Sequence, residues 1–78
     1  MMNTILPRIQ AVFRTVLEQP ALILRRDHTN LDIEGWDSLS HVQIIVGIER
    51  EFSLTLNAAD VIGVRSVGQL CDVVRARL

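Results

Sequence analysis

Apolar residues recur at helical spacing in three long parts of this chain. The first part runs from about Thr4 to Glu18, and its spacing predicts a helix with a single core face. That face is formed by Ile5, Ile9, Val12, Phe13 and Val16. Pro7 lies in the first turn, where a missing N–H costs nothing, and Pro20 marks the predicted end.

The second part predicts a helix from Ser38 to Phe52 with two apolar stripes. At about 100° per residue, one stripe is the expected core face and contains Ile44, Ile45, Ile48 and Phe52. The other stripe, on nearly the opposite side, contains Leu39, Val42 and Val46. A domain of this size can hardly bury a helix on all sides. The second stripe therefore predicts a surface that contacts a partner.

The remaining elements are defined by their capping residues. Asn57 is the predicted N-cap of a short third helix that contains Asp60 and ends at Gly63. Ser66 and Gln69 form the capping box of a last helix, whose expected core face is Val67, Leu70, Val74 and Leu78. No strand alternation persists. The predicted fold is therefore all-α, a small four-helix bundle with three main helices, one short helix and a long first loop.

The long first loop connects Glu18 to Ser38 and exceeds the usual length for a compact domain. Such loops are either functional or disordered, and apolar residues here argue against disorder. We expect the following residues to hold the loop against the helices: Leu22, Ile23, Leu24, Leu31 and Ile33.

Composition predicts one folded domain spanning residues 1–78, because 49% of the 78 residues are hydrophobic and 22% are charged. Eight basic and nine acidic residues give no electrostatic case for nucleic acid. No stretch reaches the roughly 20 apolar residues of a membrane span, and Met1–Pro7 lacks the order of a signal peptide. The single cysteine, Cys71, cannot form an internal disulfide. We therefore expect a cytoplasmic monomer without nucleic-acid or membrane partners.

The sharpest local motif is Gly-Trp-Asp-Ser-Leu at residues 35–39, where the long loop meets the second helix. A serine here is ordinarily the N-cap of the helix, and we expect Ser38 in that position. The same position also suits a phosphate ester, because N–H groups and the positive dipole end point outward. A group attached to Ser38 would lie beside the stripe that begins at Leu39.

With this motif in place, the chain resembles the acyl carrier protein family. The resemblance extends from the first helix through Thr29-Asn30-Leu31, Asp37-Ser38-Leu39 and Glu49-Arg50-Glu51-Phe52 to the short helix before Ser66-Val67. It implies that Ser38 carries 4′-phosphopantetheine through a phosphodiester, with Asp37 and Leu39 as flanking recognition residues. Acyl groups would be held as thioesters on this arm and delivered to other enzymes.

The resemblance also implies the partners. They are a phosphopantetheinyl transferase and the biosynthetic enzymes that load and transfer acyl groups, which dock on the second helix. The resemblance and the helical periodicity together predict a docking surface made of Leu39, Val42, Val46 and Arg50. Since Arg50 is basic, we expect the partner to meet it with an acidic residue.

Two differences between this chain and related carriers narrow its expected role. Fatty-acid carriers of this kind are strongly acidic along the second helix, whereas this chain has Gln43 and Arg50 there, and all eight of its basic residues are arginines. This favours a dedicated, secondary-metabolite-like pathway. Peptidyl carriers usually have two glycines before the serine and lack Trp-Asp, so an acyl carrier is favoured. A peptidyl or aminoacyl carrier and a helical interaction module without a prosthetic group remain the alternatives, and the sequence does not encode the cargo.

An enzyme is the least favoured interpretation. Asp37, Ser38 and His41 superficially suggest a hydrolase triad, but side chains on one helix start cannot form the required relay. His41 is expected to pack or cap, and His28 to be a solvated loop residue. The histidines, the cysteine and the acids show no metal-ligand spacing. Cys71 is expected to be a small buried hydrophobe, and Trp36 an anchor for the loop.

Overall fold

The computed structural model describes residues 4–78 and has four helices. The helices are α1 (Ile5–Val16), α2 (Ser38–Phe52), α3 (Ala58–Val61) and α4 (Val67–Arg77). Over this range there is no strand, only an isolated bridge between Thr29 and Ser66. The predicted all-α bundle with a long first loop is confirmed. The expectation for Met1, Met2 and Asn3 lies outside the described residues.

Helix α1 is shorter at both ends than the predicted Thr4–Glu18. Thr4 is its N-cap and Leu17 its C-cap. The chain leaves the helix because Glu18 adopts a left-handed backbone, with a φ of 54°. The turn is closed by a hydrogen bond of 3.0 Å from the N–H of Gln19 to the carbonyl of Arg14. The helix thus ends through this turn, before Pro20 is reached.

The core lies between α1, α2 and α4 and is largely aliphatic. Eleven of the thirteen residues on the predicted core faces are buried: Ile5, Ile9, Val12, Phe13, Ile44, Ile45, Ile48, Phe52, Val67, Leu70 and Val74. Val16 is only half-buried. The prediction for Leu78 is wrong, because this residue lies beyond the end of α4 and 69% of it is exposed.

Helices α1 and α2 approach each other closely at Gly47. A Cβ atom on Gly47 would lie 2.7 Å from Cγ1 of Val12, which is too short for any real contact. The glycine therefore permits the close packing of the two helices, and this contact sets the position of α2 on the bundle.

The first loop is attached to the bundle by hydrogen bonds as well as by apolar residues. Leu24 and Ile33 are buried, as expected, and Leu22 is half-buried. The prediction is wrong for Ile23 and Leu31, of which 63% and 91% are exposed. Leu31 lies at the tip of a turn in which the N–H of Asp32 bonds to the carbonyl of Thr29 at 2.9 Å.

The far half of the loop is attached to the start of α4. The N–H groups of Val67 and Gly68 donate to the carbonyls of His28 and Arg26, each at 2.9 Å. These two bonds hold the loop beside the segment that joins α3 to α4. As a result, one side of the entry to α2 faces that segment.

Candidate functional site at the start of α2

The entry to α2 is a capping box built by Asp37 and Ser40. The N–H of Ser40 donates to Oδ1 of Asp37 at 2.9 Å, and the N–H of Asp37 donates to Oγ of Ser40 at 2.8 Å. Asp37 is therefore the N-cap, and the expectation that Ser38 occupies this position is wrong. Aspartate and serine are both good N-caps. The choice of Asp37 over Ser38 depends on Ser40, the third residue of the helix.

Ser40 is the site residue that the sequence interpretation missed. It is buried, and its hydroxyl donates to the carbonyl of Gly35 at 2.7 Å, which joins the glycine turn to the helix. The sequence signal for this capping box is an aspartate followed three residues later by a side chain that can accept a hydrogen bond. Gly35 itself has a φ of 87°, a conformation that favours glycine.

The capping bonds also act on the charge of Asp37. The pKa of this carboxyl is lowered, chiefly by the hydrogen bond from the backbone of Ser40 and further by the hydroxyl of Ser40 and the backbone of Leu39. Asp37 is thus held as a carboxylate directly beside Ser38.

Ser38 is the first residue of α2, and its side chain is exposed. Because Asp37 and Ser40 form the cap, the hydroxyl of Ser38 is not required for it. The other three serines of the chain differ. Ser40 is buried, Ser66 caps α4, and Ser53 ends α2 in a left-handed conformation. Ser38 is the serine that combines exposure with a helix N-terminus.

Trp36 anchors the loop, as the sequence predicted. Only 4% of it is exposed, and its ring packs edge-on against Phe13 with centroids 4.9 Å apart. Its indole N–H donates to Nδ1 of His41 at 3.1 Å. The ring of His41 stacks on the indole at a centroid distance of 6.0 Å. His41 is therefore a half-buried packing residue, which matches the expectation for it.

A surface cleft of about 600 Å³ opens beside Ser38. One wall comes from the loop and α2 and contains Asn30, Trp36, Asp37, Ser38, His41 and Val42. The other wall comes from α3 and the segment after it and contains Val61, Ile62, Val64 and Arg65. An exposed serine at the mouth of such a cleft leaves room for a bulky substituent. The cleft as a whole was not predictable, because its residues come from separate parts of the chain.

The predicted docking residues lie on the outer side of α2. Leu39, Val42 and Val46 are 71%, 60% and 43% exposed. Arg50 is exposed as well. The structure therefore brings these four residues onto one accessible side of the helix that starts at Ser38. We call this side the outer face.

Other predicted features have structural roles. His28 is half-buried, and its Nδ1 accepts the N–H of Arg25 at 3.1 Å, so it is less solvated than expected. Cys71 is buried, as predicted, and burial raises the pKa of its thiol. Asp37 and His41 bond to Ser40 and Trp36 rather than to each other, so no hydrolase relay is arranged. From Thr4 to Leu78, no cluster of acids, histidines or cysteine could hold a metal ion, and no helix is long and apolar enough to cross a membrane.

Comparison with known proteins identifies the family of the chain. A family model described as the phosphopantetheine attachment site matches residues 7–74. The solution NMR structure of a holo acyl carrier protein from Geobacter metallireducens superposes with a TM-score of 0.86 at 29% sequence identity, covering 96% of this chain and 86% of that one. No curated protein matches the sequence. The chain belongs to the acyl carrier protein family, whose members are carriers rather than enzymes, hold 4′-phosphopantetheine covalently, and work with phosphopantetheinyl transferases and biosynthetic enzymes.

Proposed function

We propose that Ser38 is the attachment residue of an acyl carrier that serves a dedicated biosynthetic pathway. The observation that carries this proposal is the position of Ser38: exposed, first in a 15-residue helix and at the mouth of the cleft. Family membership decides between a carrier and a helical module without a prosthetic group in favour of the carrier. The choice of Ser38 as its attachment residue is our inference from the geometry.

The start of α2 suits a phosphodiester. The N-terminal turn of a helix presents backbone N–H groups and the positive end of the helix dipole, and both stabilise a negative charge. The arm supplies a terminal thiol to which acyl groups attach. The chain itself contributes a rigid base, because the capping box and the bond from Ser40 to Gly35 hold the entry of α2 in place. Asp37 and Leu39, on either side, are proposed to be read by the transferase.

The outer face of α2 is the proposed docking surface for partner enzymes. Its aliphatic residues Leu39, Val42 and Val46 form a row beside the attachment site, and a row of exposed aliphatic side chains suits an interface better than solvent. A partner that contacts this row would be close enough to receive the cargo from the arm on Ser38.

The charge of the outer face supports a specialised partner. The two carboxylates of α2 have partners within the chain: Glu49 accepts the N–H of Leu56 at 2.8 Å, and Glu51 pairs with Arg8 at 2.8 Å. Arg50 takes part in none of the four ion pairs found among residues 4–78. A cognate enzyme is therefore proposed to present an apolar groove with a carboxylate opposite Arg50.

This charge pattern is also the reason to propose a dedicated pathway rather than general fatty-acid synthesis. Carriers for the general pathway meet basic partner surfaces with free carboxylates, and α2 offers a cation instead. An acyl rather than an aminoacyl cargo, action as a single-domain monomer and a cytoplasmic location belong to the same proposal.

The experiment is the intact mass of the protein after incubation with coenzyme A and a phosphopantetheinyl transferase. We expect a gain of one phosphopantetheinyl group, which fragmentation by tandem mass spectrometry places on Ser38. An unchanged mass, or a group on another serine, would contradict the proposal.

A further inference from the structure

The cleft beside Ser38 contains one cation without an ionic partner, Arg65. The backbone of this residue is held by a hydrogen bond of 2.6 Å from its N–H to Oε1 of Gln69. Its side chain is exposed and belongs to none of the four ion pairs of residues 4–78. Arg65 thus lines the cleft, and none of these ion pairs engages its guanidinium.

The carboxylate of the cleft and two carboxylates of the adjoining loop and helix already accept hydrogen bonds within the chain. Asp37, at the end of the cleft where Ser38 lies, is the N-cap of α2 and accepts the N–H of Ser40. Asp60, on the short helix α3, accepts from the N–H of Asn57 at 3.0 Å and pairs with Arg77. Asp32 accepts the N–H of Thr29 at 2.8 Å. Arg65 therefore makes no ion pair within residues 4–78, and its guanidinium is free to bind an anion in the cleft.

A second polar residue of the cleft, His41, is held in place by Trp36. The indole N–H can only donate, so Nδ1 of His41 must be the acceptor in their 3.1 Å hydrogen bond. His41 and Arg65 both line the cleft.

The floor of the cleft limits the length of what it can hold. Trp36 is its one fully packed lining residue, and behind it lies Phe13, which is completely buried. The central core residues Ile44 and Ile48 do not line the cleft. A long alkyl chain entering the core from this cleft would have to displace Trp36, whereas a short group fits within the cleft itself.

We propose that this cleft selects a short acyl group that ends in a carboxylate, and that Arg65 binds that carboxylate. The inference rests on attachment of the arm to Ser38. A guanidinium binds a carboxylate through two parallel hydrogen bonds. A flexible tether raises the effective concentration of its end group into the mM range, so even a weak contact is populated. A neutral acyl group lacks this contact, and an aminoacyl group would bring a like charge to Arg65.

The test uses three cargos of similar size that differ in charge. The protein is loaded with malonyl, isovaleryl or β-alanyl phosphopantetheine, where the carboxylate of malonyl replaces the isopropyl group of isovaleryl. Cleavage of each thioester by hydroxylamine is timed in the parent and in Arg65→Gln. The ratio of the cleavage rate in the variant to that in the parent cancels the intrinsic reactivity of each thioester. Arg75→Gln, which removes an exposed arginine of α4 that does not line the cleft, controls for net charge.

We expect Arg65→Gln to speed cleavage of the malonyl thioester by about two- to fivefold, the range for an exposed ion pair. The other two thioesters and all Arg75→Gln ratios should stay near one. In the parent, the Nε–H resonance of Arg65 should move on malonyl loading and not on isovaleryl loading. Thermal melting of each variant verifies that the fold is retained.

Other outcomes would overturn the inference. Equal ratios for the three cargos would show that Arg65 does not read their charge. A change in the phosphorus resonance of the unloaded arm in Arg65→Gln, without discrimination between cargos, would assign Arg65 to the phosphodiester instead. Failure of the parent to accept any arm on Ser38 would contradict the proposed function and, with it, this inference. Loading without discrimination would contradict the inference alone.

Discussion

The two faces of α2 are built from similar residues and have opposite environments. On the inner face Ile44 and Ile48 are completely buried, while on the outer face Leu39 and Val42 are 71% and 60% exposed. The inner face packs against α1, with Gly47 at the contact. In the described part of the chain the outer face is left to solvent. Whether an aliphatic side chain belongs to the core or to an exposed surface is therefore decided by what packs against it. Residue type alone does not decide it.

The largest effect is expected on the inner face, from Phe52→Ala. Phe52 is 7% exposed, and the guanidinium of Arg8 lies 4.1 Å from its ring centroid. Truncation should lower the free energy of unfolding by roughly 3–5 kcal/mol, a large part of the stability of a small domain. Thermal melting measures this change. Leu39→Ala on the outer face is the control, and equal melting of the two variants would mean that the faces are wrongly assigned.

A smaller loss is expected where α1 and α2 touch. In Gly47→Ala the new methyl group meets Cγ1 of Val12 at 2.7 Å, so the Val12 side chain or the helix backbones must shift, at a cost of about 1–3 kcal/mol. Gly63→Ala is the matched control, because a Cβ there meets nothing within 4 Å. Chemical denaturation of both variants gives the difference. If they proved equally stable, the contact at Gly47 would not determine how α2 packs.

On the outer face we expect changes in transfer rather than in stability. Val46→Asp should alter the free energy of unfolding by no more than about 0.5 kcal/mol. It should also slow transfer of cargo to cognate enzymes, because it places a charge in the apolar row. Parallel assays of transfer rate and melting check both statements. An unfolded Val46→Asp variant would show that this row belongs to the core.

The charge of the outer face is tested separately with Arg50→Glu. We expect slower transfer to the cognate enzyme, with an altered salt dependence, and better acceptance by general fatty-acid enzymes, because charges at the rim of an interface act on association rates. Transfer rates measured with both kinds of enzyme at two salt concentrations test this expectation. Unchanged rates with every enzyme would remove the charge argument and leave the apolar row untouched.

The smallest effect concerns the cap of α2. The pKa of Asp37 is lower in the folded protein, so its stabilising contribution is complete above the unfolded value of about 3.9. That contribution is lost as the pH falls through the lower folded value. Asn is a comparable cap without charge. Asp37→Asn should therefore match the parent at neutral pH and lose less stability on acidification.

The measurement for this prediction is thermal melting of both proteins from about pH 6 to pH 2.5, a range that includes the unfolded pKa. Asp27 and Asp60, whose pKa values are also lowered, are present in both proteins and cancel in the comparison. Parallel curves for the parent and Asp37→Asn would show that the capping bond is not linked to ionisation.

Features that depend only on residues close together in the sequence were predictable. The bounds of α2, Ser38 and Phe52, agree with the prediction because its start carries good capping residues and its interior has a clear helical period. The core face followed from the same period. The N-cap was misassigned because Asp37 and Ser38 are both good caps, and the choice depends on a bond to Ser40.

Features that need tertiary contacts were not predictable. Ile23 and Leu31 lie in an irregular loop that has no period, so nothing in the sequence shows which of its apolar residues turn outward. Arg65 comes from the segment between α3 and α4 and reaches the cleft only when loop and helices are assembled. Its role could not be read from its neighbours in the chain.

The central claim is that Ser38 holds the arm and is not needed for the fold. Its most direct test compares Ser38→Ala with Ser53→Gly, which replaces the exposed serine at the other end of α2 by the residue best suited to its φ of 53°. After incubation with coenzyme A and the transferase, we expect Ser53→Gly to gain one arm and Ser38→Ala to gain none. Both variants should melt close to the parent, within about 0.5 kcal/mol of unfolding free energy for the exposed Ser38. Loading of folded Ser38→Ala would contradict the claim.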